Sequence, residues 1–274
     1  MPSLRQKQTL ASFDWQWREL PDGGALLAEP WFREHVDAIL SEELLCVSRD
    51  WFPGRMVLDA GCGNGRWTIG LLKLGCNVCA VDASDAALDH LRATVEELCT
   101  PEERTRLEVA QVNLLELPTH LRARSFDLVF TFGVLHHTGD TRRALRNVAA
   151  LVGPDGMLFA YLYGRSSVSA KGRATLELMR LALAPLPFSL KRKMIGKLSR
   201  GQDAHQAFDC LSPTINTRHT FEQVAGWLRE DEFPKVEETI PHSELFVRAL
   251  RDEEALKPFL LTKPSPPYWF ERYS

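Results

Sequence analysis

Two carboxylates and a stretch of bare backbone are the residues of this chain best placed to do chemistry. Val57-Leu58-Asp59-Ala60-Gly61-Cys62-Gly63-Asn64-Gly65 carries an apolar run into an acid and then through three alternating glycines. Glycine permits a tight turn and lets a ligand lie against the main chain, with an anionic or polar end near the N-terminus of the helix that follows. A second acid, Asp82, closes the next apolar run in Val81-Asp82-Ala83-Ser84. Carboxylates at strand ends accept hydrogen bonds from ribose hydroxyls. Dinucleotide-binding folds use a similar glycine loop, so the surroundings must decide what this one holds.

The elements that would position these groups are legible between residues 55 and 163. Short apolar runs at 56–59, 78–82, 107–111, 126–132 and 157–163 alternate with helix-like segments at 66–74, 85–99 and 142–151. That alternation is the βαβ pattern of a mainly parallel sheet with helices on both faces, and its crossovers are expected to be right-handed. Ser84 and Thr141 are the expected N-caps of the latter two helices. After a long helical stretch the pattern returns with a helix at 220–230, capped by Thr220, and strands at 235–240 and 244–250. Pro241-His242-Ser243 joins these two strands so briefly that they must pair antiparallel, which places one reversed strand in the sheet. The fold class is therefore α/β, a doubly wound and mainly parallel seven-stranded sheet with one antiparallel strand and a helical cap insertion.

The block from Val57 to Thr68 with Asp82 resembles motif I and the following acidic loop of class I S-adenosylmethionine-dependent methyltransferases. Phe126-Asp127-Leu128-Val129-Phe130-Thr131-Phe132-Gly133-Val134-Leu135-His136-His137 resembles the fourth-strand motif of the ubiquinone/menaquinone methyltransferase-like branch, with its Leu-His-His end. Leu151-Val152-Gly153-Pro154-Asp155-Gly156 is similar to that family's turn into the fifth strand. The resemblance covers about residues 55–250 and implies S-adenosylmethionine as cofactor, with S-adenosylhomocysteine as product. It implies a cofactor set of Asp59, Gly61, Cys62, Gly63, Asp82, Ala83, Asn113, Leu114 and Phe132, in which Asp82 binds ribose. Asn113 stands where the family commonly has Asp; its amide oxygen can still accept from the adenine amino group, without help from charge. Ligands of doubly wound sheets gather at the carboxyl ends of strands, which makes His136, His137 and His219 candidate general bases, or histidines that merely hydrogen-bond their loops. The run Phe208-Asp209-Cys210-Leu211-Ser212-Pro213 through Asn216, Arg218, His219, Thr220 and Phe221 is similar to a segment before the sixth strand that borders the acceptor pocket. Trp17, Tyr163, Asp209 and Asn216 are the candidate substrate-binding residues. Where relatives carry a glycine before an aromatic, this chain has Glu232-Phe233, so the end of that helix is expected to differ.

The chain divides into an N-terminal arm (1–50), a cofactor-binding core (51–165), a basic helical cap (166–206), a return to the core (207–250) and a tail (251–274). The cap is broken by Pro185 and Pro187, and between 171 and 200 holds Lys171, Arg173, Arg180, Lys191, Arg192, Lys193, Lys197 and Arg200 against the single acid Glu177. It reads as a solvated face, as a contact for an anionic substrate, or as a membrane-surface helix. Phe13, Trp15, Trp17, Trp31 and Phe32, and the aromatic tail 264–273, either fold over the pocket or dock as structural arms. A formal charge of −3 makes nucleic acid an unlikely partner. The six scattered cysteines and the absence of a signal-like start fit a reducing, cytoplasmic setting; Cys76-x-x-Cys79 lacks the further ligands of a zinc set, so no metal is expected. No run is long and apolar enough to span a bilayer, and the oligomeric state is left open.

These readings converge on a methyltransferase for a small-molecule acceptor, with oxygen favoured over nitrogen or carbon and an anionic acceptor favoured by the basic cap. An RNA or protein methyltransferase needs an open basic groove or a proline-rich tetrapeptide, and Gly133-Val134-Leu135-His136 is not one. A nicotinamide dehydrogenase predicts Gly-x-Gly-x-x-Gly spacing, and a non-catalytic scaffold would bind the cofactor without turnover.

Overall fold

The computed structural model describes residues 3–20, 25–198 and 204–272. Its strands are β1 (Met56–Ala60), β2 (Asn77–Asp82), β3 (Leu107–Gln111), β4 (Phe126–Phe132), β5 (Val152–Leu162), β6 (Lys235–Ile240) and β7 (Leu245–Leu250). The helices of eight residues or more are α1 (Leu4–Glu19), α2 (Pro30–Ala38), α3 (Arg66–Lys73), α4 (Asp85–Leu98), α5 (Thr141–Ala149), α6 (Ala170–Leu183), α7 (Phe188–Leu198), α8 (Ala204–Leu211) and α9 (Phe221–Glu230).

The strands lie in the order β3-β2-β1-β4-β5-β7-β6. All pairings from β3 to β5 are parallel, and β7 runs antiparallel to both β5 and β6, as the short Pro241–Ser243 connection requires. Period-2 alternation sends Val57, Val78, Leu128, Phe130 and Phe159 to one face, where they pack with α2, α3, α4 and the tail residue Trp269. Leu58, Cys79, Val81, Val129 and Leu158 face the other way, against α5 and α9. The strand order reverses between β1 and β4, so the crevice outside their carboxyl ends is the place where such a sheet can hold a ligand.

Pro185 and Pro187 separate α6 from α7, as expected of residues that cannot continue a helix. The two helices and α8 share a small core of Leu183, Ile195, Ala207, Phe208 and Leu211 with Leu20, and Trp15 of α1 stacks on Phe188 and Phe208. Two of the cap's basic residues are therefore packed rather than solvated. Arg180 is buried and donates Nε–H to the Cys210 carbonyl at 2.8 Å, and the buried Lys191 sits over the Phe188 ring. Lys171, Arg192, Lys193 and Lys197 are exposed, and Arg200 lies outside the described residues, as does Tyr273 of the tail. No described helix is long and apolar enough to cross a membrane. All six cysteines are unpaired thiols.

Three local expectations are corrected. The N-cap of α5 is Asp140, whose carboxylate accepts the Arg143 amide at 3.0 Å; the Thr141 hydroxyl is instead engaged by Thr217 and His219. The run Val152–Gly156, read as a turn, lies within β5 and forms a bulge there: Val152 pairs with Phe126 and Met157 with Leu128, so β5 takes five residues over a step that takes two on β4. The end of α9 keeps the shape a glycine would give it, because Glu232 itself adopts the left-handed conformation, φ +67°. A side chain there costs on the order of 1 kcal/mol, and the Glu232 side chain is almost fully exposed. Glu232→Gly is therefore expected to raise stability by about 0.5–1 kcal/mol in urea unfolding, and Glu232→Val, β-branched at positive φ, to lower it.

Candidate functional site

A cavity of about 1480 Å³ opens at the crevice between β1 and β4. Its floor is backbone. Gly61, at φ +83°, lies so near the loop after β4 that a Cβ there would stand 2.3 Å from a Val134 methyl. Gly65, at φ +85°, caps the start of α3. Bare main chain thus leads straight from strand to helix, a surface a ligand can approach closely.

Asp82 ends β2 at the cavity wall. Its Oδ2 accepts the Gly63 amide at 3.0 Å and its Oδ1 accepts the Ser84 amide at 2.9 Å, so the carboxylate is aimed by backbone and keeps further lone pairs for a diol. Burial raises its pKa, and the amides of Ser84 and Gly63 counter that rise. Gly61, Cys62, Gly63, Ala83, Asn113, Leu114 and Phe132 line the same cavity, as the sequence led us to expect. Asn113 accepts the Leu115 amide on Oδ1 at 3.0 Å, so that oxygen closes its own turn while retaining one lone pair. Asp59 is different. It does not line the cavity but is buried under the loop, where its Oδ2 accepts the Thr68 hydroxyl at 2.6 Å; burial drives its pKa up to about 7.

The three histidines part ways. Only His137 lines the cavity, edge-on to Phe13 at 4.9 Å. Its Nδ1 lies 2.8 Å from the Ile215 carbonyl, which can only accept, so the proton sits on Nδ1 and the lone pair on Nε2. Burial lowers its pKa to about 4, and the ring is neutral at physiological pH. His136 is fully buried behind Tyr163, ring centroids 3.9 Å apart, and burial holds it neutral too. His219 lies in a hydroxyl cluster with Thr141 and Thr217, beside Trp227. Neither lines the cavity; His136 parts from His137 because the 3-10 turn Leu135–His137 sends consecutive side chains in different directions.

Of the candidate substrate residues, Tyr163 and Asp209 line the cavity. Trp17 does as well, at the glycine-loop end, where a Cβ on Gly63 would stand 3.0 Å from its ring. Asn216 is turned away into a separate small pocket with Arg5 and Glu177. Sequence reading missed Arg66, Tyr161, Glu244 and Phe246, which line the cavity together with Arg218 of the acceptor-side segment and Trp269 and Phe270 of the tail. Alternation on β5 and β7 could have flagged Tyr161 and Phe246. The described part of the basic cap, 171–197, contributes no residue to the cavity.

The buried Asp59 has a thermodynamic signature. Its folded pKa is raised, so the unfolded chain ionises first and stability falls as pH climbs from about 4 to about 7, levelling above that. Asp59→Asn keeps an acceptor for Thr68 and loses the charge. It is expected to match wild-type stability near pH 4 and to exceed it by a few kcal/mol at pH 8, read from denaturant midpoints.

Residues 58–158 match the family model described as a methyltransferase domain. A Mycobacterium tuberculosis protein named a probable S-adenosylmethionine-dependent methyltransferase is 33% identical over 145 residues, 53% of this chain and 46% of that protein. A ubiquinone biosynthesis O-methyltransferase of Actinobacillus pleuropneumoniae is 32% identical over 108 residues, 39% of this chain and 44% of that one. The chain thus spans less than half the length of these curated relatives. Among solved structures, DhpI in complex with SAH superposes with a TM-score of 0.55 at 17% identity, over 89% of this chain and 95% of that chain. An O-methyltransferase family protein from Burkholderia thailandensis gives a TM-score of 0.53 at 16% identity, over 88% of this chain and 58% of that chain. Residues 58–158 thus match a methyltransferase domain, and the seven-stranded sheet with its antiparallel β7 is the class I methyltransferase fold.

Proposed function

We propose that the protein transfers a methyl group from S-adenosylmethionine to a small-molecule acceptor, with an oxygen atom favoured. The observation that carries this reading is one cavity lined by two chemically different sets of residues. One set is the glycine loop with the backbone-aimed Asp82; the other is aromatic and includes Arg218 and Glu244. Small-molecule pockets usually occupy about 300–1,000 Å³, so about 1480 Å³ has room for cofactor and acceptor side by side.

The bound cofactor supplies an already activated methyl group, which leaves the protein to align an acceptor and exclude water. In this reading Asp82 holds the ribose diol, the Gly61–Gly63 backbone admits the cofactor's chain, and the Gln111–Leu115 segment borders the adenine. His137 presents the Nε2 lone pair to an acceptor hydroxyl. With its pKa pushed down to about 4 it is a weak base, better suited to orienting such a group than to removing its proton beforehand. Phe13 and Trp17 of α1 and Trp269 and Phe270 of the tail line the chamber, and aromatic walls of this kind hold water out. The unpaired thiols suit a reducing compartment such as the cytoplasm.

Isothermal titration with S-adenosylhomocysteine checks the reading. Wild type is expected to bind in the micromolar range, Asp82→Ala to lose at least about tenfold in affinity through its missing charged acceptor, and His137→Gln to bind within about twofold of wild type. NADH is the control. Tighter binding of NADH, or no binding of either sulfur compound, would sink the proposal.

A further inference from the structure

We propose that Arg218 is the anchor for an anionic oxygen of the acceptor, and that the acceptor is a flat molecule bearing a carboxylate. This rests on the methyltransferase reading above. The Arg218 side chain is only 10% exposed, yet it lines the cavity. Its guanidinium lies over the Tyr163 ring, 4.9 Å from the centroid. Within the described residues its hydrogen bonds all go through Nη1: to the Gly164 carbonyl at 3.1 Å, to the Ser167 hydroxyl, and to Glu244 Oε1 at 3.3 Å. Glu244 Oε2 accepts the Gly164 amide. The carboxylate and the loop therefore grip one corner of the fork and leave Nε and Nη2, the pair of donors that matches a carboxylate edge-on.

The surroundings fit that ligand. Tyr161 and Tyr163 line the same wall, and burial keeps both phenols protonated, so each can donate to an anion. Glu244 has both oxygens engaged, and Asp209 accepts from Gln16 Nε2 at 2.8 Å, so the two acids of this wall are already committed to the protein. Arg66 adds a second cation over Phe132 and Trp67. Phe132 and Tyr161 stack at 4.4 Å with a 17° interplanar angle, and Phe246 and Phe270 are parallel within 7°, which gives planar surfaces for a flat ring. A carboxylate arrives ionised, which suits a site in which His137 is a weak base.

The test uses the full chain saturated with S-adenosylhomocysteine and measures binding of benzoate, 4-hydroxybenzoate and 2-naphthoate against their carboxamides. Each acid is expected to bind at least about tenfold tighter than its amide. Arg218→Gln should abolish that preference while S-adenosylhomocysteine affinity stays within about twofold of wild type. Arg218→Lys, which keeps the charge without the fork, should retain part of it, and serves if Arg218→Gln does not fold. Acids and amides that bind alike, or acids that fail to bind the loaded protein, would overturn the assignment. A failure of wild type to bind S-adenosylhomocysteine would instead overturn the methyltransferase reading beneath it.

Discussion

The close approach of the Gly61 backbone to Val134 is the constraint on which the site depends. Parallel strands deliver their carboxyl ends to one edge of the sheet, and the order reverses between β1 and β4. The loops after those two strands must therefore pass each other over the same crevice. They can do so only because one of them has no side chain at the point of contact. Any Cβ there would push the β4 loop outward, and with it the turn that carries His137. The glycine thus sets the depth of the cavity as much as it admits a cofactor.

Around that floor the protein arranges charges by burial. Asp59 and Asp82 stand at adjoining strand ends, yet only Asp82 meets the cavity; Asp59 is sealed below with Thr68 as partner. The difference comes from the hydrogen bonds each accepts. Backbone amides aim Asp82 outward, whereas a helix hydroxyl draws Asp59 inward. Both histidines of the Leu-His-His turn are stripped of charge by the same burial. The two rings thus stand neutral and oriented beside the cationic side chains of Arg66 and Arg218.

Three segments far apart in the chain close the chamber. Helix α1 contributes Phe13 and Trp17, the return segment contributes Asp209 and Arg218, and the tail contributes Trp269 and Phe270. Polar contacts tie α1 to the return segment, among them Ser12 to Ser212 at 2.6 Å and Gln16 to Asp209 at 2.8 Å. The tail is tied to the β1 side of the core, where the Trp269 amide donates to Glu43 at 3.0 Å and its ring packs on Trp67. The aromatic arms are therefore both docked and pocket-forming, the two alternatives their composition had left open.

Local patterns were enough to read the sheet, its reversed strand and the cofactor loop. A strand's period of two, glycines at alternate positions and an acid at a strand's end are all set by neighbours within a few residues, so β3, β4 and β6 were legible to the residue and most of the residues expected to hold a cofactor line one cavity. The tertiary structure alone decided which of several similar groups face the ligand. His136 and His137 are adjacent in sequence, but one supports Tyr163 from behind while the other lines the cavity; the basic cap drew attention by its charge, but the cations that line the cavity, Arg66 and Arg218 among them, come from elsewhere in the chain. Those choices depend on which way a side chain turns when segments from distant parts of the chain pack against it, and a long-range contact leaves no periodic trace in the sequence that makes it.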